Sequence, residues 1–163
     1  MKTYLLAFAL LAGCGTSERT ADNRNEAGPP VVETSAGTGL TGLYEGGRGA
    51  QPDQLCIVEK GATAQFGMVV WGGNMHSCSG SGQAVREGGR VTLKMAGDSS
   101  CEIAATMRGG AISLPAATPA GCDYYCAPGA RGQLAGAAFT RKGATAADAM
   151  KAKDLVGEPL CSR

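Results

Sequence analysis

Arg90-Val91-Thr92-Leu93-Lys94-Met95 decides the fold, together with Cys101-Glu102-Ile103-Ala104-Ala105-Thr106-Met107 after a Gly97-Asp98-Ser99-Ser100 turn. Val91, Leu93 and Met95 alternate with Arg90, Thr92 and Lys94. Cys101, Ile103, Ala105 and Met107 repeat the period. Alternation at every second residue marks a strand with one face on a core and one in water. Arg108-Gly109-Gly110-Ala111 then places paired glycines where a tight hairpin needs positive backbone angles. Ile112 and Leu114 resume the inward face.

Working outward, the same signals recur. Residues 40–45 put Leu40, Gly42 and Tyr44 on one side. Residues 55–58 form a continuous apolar run. In 64–71, Phe66, Met68 and Val70 alternate with their neighbours. Residues 83–86 are a weaker strand, and 134–140 a last one anchored by Phe139. Glu87-Gly88-Gly89-Arg90 is a second glycine hairpin. Strands at this spacing predict a mainly β fold, a small antiparallel β-barrel or sandwich of about 7–8 short strands. The period changes at the C-terminus. Thr145 can cap a helix and Asp148 favours its first turn. A C-terminal helix is expected over 145–156, stopped by Gly157 and Pro159, and lying as a lid over a barrel end.

Aromatic residues are only 5% of the chain, while glycine is abundant, so the core is thin. Cross-links compensate for such a core. The chain has seven cysteines. Cys56, Cys78, Cys101, Cys122, Cys126 and Cys161 lie in the body, and six cysteines allow 15 pairings that sequence does not choose among. Metal binding is not expected: Cys122 and Cys126 are the one close pair, and His76 is the only histidine, whereas zinc takes four ligands at short paired spacings. No cofactor is expected either, because Gly46-Gly47-Arg48-Gly49 has neither the spacing nor the following helix of a phosphate or dinucleotide loop.

The seventh cysteine, Cys14, closes the run Leu11-Ala12-Gly13-Cys14. Lys2 and an apolar stretch of about ten residues precede it, too short to span a bilayer, which takes roughly 20. A positive start, an apolar middle and small residues before the cleavage point form a secretory leader. The run resembles the lipobox of bacterial lipoproteins. That resemblance implies a signal peptide over 1–13, cleavage before Cys14, and a lipid on its thiol as the membrane anchor. With Gly15 rather than aspartate next, it implies outer-membrane delivery facing the periplasm in a host with two membranes. Residues 14–38, rich in Gly, Ser, Thr, Pro and charge, read as a disordered tether. A coil of that length spans roughly 25–30 Å. Residues 39–163 are then a disulfide-rich β-domain in an oxidising compartment. Without Lys2, acidic and basic residues balance. Neither nucleic acid, which needs a basic surface, nor a polybasic membrane patch is expected.

Two segments stand out as candidate binding loops. Residues 71–83 hold the only tryptophan, Trp71, and the only histidine, His76, in a glycine- and serine-rich context that suggests a loop. The plainer reading is a core Trp71 ending a strand before a loop stapled by Cys78. Cys122-Asp123-Tyr124-Tyr125-Cys126 offers Tyr124 and Tyr125 as contact surface. The plainer reading has one tyrosine in the core. A catalytic Ser–His pair needs the side chains to meet and a carboxylate to orient the histidine. Ser77, Ser79 and Ser81 are poorly spaced for that, and the carboxylates, Asp53 among them, are scattered singly. No catalytic residue is assigned.

In plan, a lipobox followed by a compact, disulfide-rich β-barrel resembles the periplasmic lysozyme inhibitors of bacteria, with Ser79-Gly80 similar to the start of their inhibitory motif. The resemblance implies a protruding loop that enters a partner. The expected function is a non-enzymatic, lipid-anchored envelope protein that binds a protein or peptidoglycan-related ligand. A structural or stress-related lipoprotein without a ligand site is the alternative, and an envelope hydrolase a third.

Overall fold

The computed structural model describes residues 39–97 and 99–162. The expected leader, Cys14 and the tether lie outside the described residues. The body is a closed antiparallel barrel of eight strands in meander order. They are β1 Gly42–Gly46, β2 Asp53–Lys60, β3 Thr63–Trp71, β4 Ser77–Glu87, β5 Arg90–Met95, β6 Glu102–Arg108, β7 Ala111–Ser113 and β8 Ala138–Gly143. Each strand pairs with the next, and β8 returns to β1.

One end of the barrel is closed tightly. Gly61-Ala62, Gly88-Gly89 and Gly109-Gly110 make two-residue hairpins there. Gly109 and Gly110 have φ of 56° and 81°, the left-handed values that a twisted hairpin demands. The other end carries the longer connections β1–β2, β3–β4, β5–β6 and β7–β8. The last of these, residues 114–137, turns into the mouth. It includes the 3-10 turns Ala120–Tyr125 and Pro128–Ala130. Leu114, Cys122, Cys126, Ala130 and Leu134 join the barrel core from it. It is a plug, and two disulfides hold it: Cys78–Cys126 from β4 and Cys101–Cys122 from the residue before β6.

Inward residues fill the lumen. Tyr44, Leu55, Ile57, Phe66, Met68, Leu93, Ile103, Ile112 and Phe139 are all fully buried. A second cluster lies outside the wall. Leu43, Cys56 and Val58 point away from the lumen and are covered by Ala149, Ala152 and Cys161. This explains the unbroken apolar run in β2, which is buried on both faces.

The covering segment corrects the expected helix. Only Ala146–Ala149 is α-helical (α1), a single turn with a complete Thr145–Asp148 capping box. Lys151 and Thr145 hold the Asp148 carboxyl down to about 2. Beyond it, Asp154 Oδ1 accepts from Val156 N at 2.9 Å and Glu158 N at 2.8 Å. That side-chain turn competes with helix. Val156, expected on the helix's apolar face, is 82% exposed. Nor is the segment a lid. It runs along the outside of β1 and β2, and the plug closes the mouth instead. The Cys56–Cys161 disulfide ties it down. Gly67 lets it lie flat, because a Cβ there would meet the Leu160 carbonyl oxygen at 2.5 Å.

Two further expectations are corrected. Residues 77–82, read as loop, are the first half of β4. Their small side chains answer to close approaches: a Cβ at Gly82 would meet Lys94 O at 2.0 Å. The last strand begins at Ala138 rather than 134, because Leu134 belongs to the plug.

The closing seam has its own latch. Tyr44 is opposite Arg141 in the β1–β8 register. Its hydroxyl donates to Leu40 O at 2.7 Å and accepts from Arg141 Nε at 3.1 Å. Arg141 Nη2 also donates to Gly39 O, and the guanidinium carbon lies 5.1 Å from the Tyr44 ring centroid. Burial raises the Tyr44 hydroxyl pKa, opposed by Arg141.

Arg141→Met keeps much of the apolar stem and removes these bonds. It is expected to cost about 1–3 kcal/mol in urea unfolding. Replacing Cys56 and Cys161 together by serine opens a loop of 105 residues. The expected cost is about 3–5 kcal/mol, with new tryptic cleavage at Lys151 and Lys153 while the barrel persists.

Candidate binding groove

The plugged mouth carries a groove built from three pieces of chain. Arg48, Gly49, Ala50 and Gln51 come from the β1–β2 connection. Trp71, Gly72 and Met75 come from the end of β3 and the turn after it. Gln133, Ala135, Gly136 and Ala137 come from the plug. Three adjoining lobes of about 310, 400 and 340 Å³ share Asp53 and Arg48 in their walls.

Asp53 opens β2 and is 7% exposed. Its Oδ1 accepts from Trp71 N at 2.8 Å, which continues the β2–β3 ladder past its last backbone pair. The turn at Gly47 lies on the carboxylate: a Cβ there would meet both oxygens at about 3 Å. Burial raises the Asp53 pKa, and the Trp71 N–H bond opposes the rise. Among the described residues no cation stands against this carboxylate. Arg48 is exposed on the rim, without a hydrogen bond or ion pair among the described residues.

The turn after β3 is strained and braced. Asn74 and Met75 both have positive φ, 56° and 59°. Neither is glycine, so the conformation is costly and is held by its surroundings. Gly72 N donates to His76 O at 2.8 Å and His76 N to Gly73 O at 3.2 Å. The His76 ring covers Gly129, where a Cβ would meet it at 2.4 Å. Cys78, two residues on, is bonded to the plug. Met75 stands at the tip, 79% exposed.

The four residues picked out from sequence thus separate. Trp71 is half-buried and lines the groove. His76 points to the plug and makes no side-chain hydrogen bond to a serine or carboxylate among the described residues. Tyr125 is half-buried, with its hydroxyl donating to Ala96 O at 2.8 Å. Tyr124 meets it edge to face at 5.4 Å and is 83% exposed. Neither tyrosine lines the three lobes. Asp53 and Arg48 were not picked out. The glycine-rich turn before an aspartate at a strand start was the available signal. Among the described residues no group of three or more His, Cys, Asp or Glu is placed to hold a metal ion.

Fold and groove together define a class: a disulfide-stapled eight-stranded barrel with a filled lumen and a recess at its plugged end. No protein-family model, curated protein or solved structure matches the chain.

Asp53→Asn tests the buried charge. A raised folded pKa means the folded state holds the proton more tightly than the unfolded chain. The destabilisation by the charge is therefore full above the folded pKa and disappears as pH falls through it toward the unfolded value. The variant is expected to be at least as stable as the wild type at pH 7. Its advantage should shrink by pH 4 in parallel urea titrations.

Proposed function

We propose that this chain is a lipid-anchored protein of the bacterial cell envelope and a non-enzymatic binding module for a protein or cell-wall ligand. The recess around Asp53 and Trp71 carries the reading. The lumen is packed with side chains, so the barrel is a scaffold, and the concave surface with converging polar groups lies at its mouth. Loops on a rigid frame are where binding residues concentrate, and the plug that forms one wall of the recess is cross-linked to the barrel.

The cysteine arrangement supports the address. Cys56, Cys78, Cys101, Cys122, Cys126 and Cys161 pair among themselves. That pattern suits an oxidising compartment, and it leaves Cys14 over for lipid. No helix among the described residues is long and apolar enough to cross a membrane, and on this reading the lipid holds the protein at the surface.

Purified protein mixed with insoluble cell-wall sacculi, and separately with envelope extracts, is expected to show saturable retention. Trp71→Ala with Arg48→Ala should weaken it about tenfold or more. Retention that never saturates, or that the double variant keeps in full, counts against the groove. Mass spectrometry of the chain made in a lipoprotein-processing bacterium is expected to find N-terminal Cys14 carrying acyl groups. An unmodified Cys14 removes the anchor.

A further inference from the structure

Asp53 is an uncommon floor for a groove. More than nine-tenths of the residue is buried, yet Oδ1 takes one backbone N–H and Oδ2 has no hydrogen-bond partner among the described residues. All three lobes touch it. A carboxylate set this deep gains most from a ligand that brings a cationic donor, because a charge-assisted bond in a partly dry site is stronger than a neutral one. Trp71, whose backbone N–H makes that bond, lines two of the same lobes, and aromatic faces attract ammonium groups. On the rim of the same lobes, Arg48 offers a guanidinium with no partner of its own among the described residues, suited to a carboxylate.

From this juxtaposition we infer that the groove takes a zwitterionic amino-acid centre, its ammonium on Asp53 and Trp71 and its carboxylate on Arg48. The inference rests on the binding reading above and names the ligand chemistry for that site. Such a centre is offered by a free amino acid or by a cell-wall peptide containing a diamino diacid whose side chain ends in one. Lobes of a few hundred Å³ suit a unit of this size.

Trp71 is the only tryptophan in the chain, so its fluorescence reports the groove. Nε-acetyl-lysine is the probe. Its Nα-acetylated form lacks the ammonium, and its amide lacks the carboxylate. The zwitterion should shift the Trp71 emission saturably, and each blocked form should bind about tenfold more weakly or worse. Asp53→Asn should lose the distinction between free and acetylated amine. Arg48→Met should lose the distinction between acid and amide. Equal binding of all three probes by the wild type overturns the inference, without reference to any variant.

A second arm uses sacculi whose free amines have been acetylated. If a cell-wall peptide is the source, this treatment abolishes retention. Full retention on acetylated sacculi, with no response to the zwitterion, overturns the zwitterion assignment and leaves the envelope-binding reading standing. A zwitterion response without retention by sacculi or extracts makes a free amino acid the source and removes the envelope-ligand reading. Silence in both arms removes both.

Discussion

The plug in the barrel mouth is the constraint on which the rest depends. An eight-stranded barrel of short strands must fill its ends as well as its lumen. One end is sealed by two-residue hairpins. The other is filled by residues 114–137, which have no regular sheet pairing of their own beyond the Cys78–Cys126 bridge. Cys78–Cys126 and Cys101–Cys122 fix that segment to the wall at the start of β4 and just before β6. Gln133, Ala135, Gly136 and Ala137 then become one side of the groove, and His76 has Gly129 to rest on. Without the plug's fixed position, neither the wall of the recess nor the strained turn at Asn74 and Met75 would be supported.

What could be read from sequence was whatever had a strict period or a fixed turn chemistry. β5, β6 and the glycine hairpins follow from alternation and from paired glycines. The buried run Leu55 to Val58 was visible, though not the reason for it, since the covering residues come from the far end of the chain. β4 was hidden because its first half is Ser and Gly, chosen for close approach rather than for strand propensity. The single-turn α1 was overestimated because alanine-rich periodicity continues past the point where Asp154 turns the chain. The groove was half legible. Trp71 drew attention by its rarity, but Asp53 is one carboxylate among many until the fold buries it.

The groove also shows how a scaffold can hold an unfavourable group. A buried carboxylate without a counter-charge is costly. Here it sits where two strands end and accepts the N–H that would otherwise end the ladder unpaired. The same side chain therefore has a structural bond on one oxygen and an open face on the other. On the proposed binding reading, the division keeps the site shaped before a ligand arrives, the condition under which binding energy is not spent on ordering loops.

The three disulfides have a further consequence in their order. Cys56 pairs with Cys161, Cys78 with Cys126 and Cys101 with Cys122, so the bridges nest one inside another. A chain that appears N-terminus first exposes Cys56 and Cys78 together while both rightful partners are still to come. Pairing each thiol with its nearest predecessor would join those two and misplace both. Only the innermost bridge, Cys101–Cys122, forms correctly from neighbours in sequence. Where such an early pair forms, thiol–disulfide exchange is the chemistry that converts it to the nested set. A nested set of bridges thereby places a demand on reshuffling as well as on oxidation.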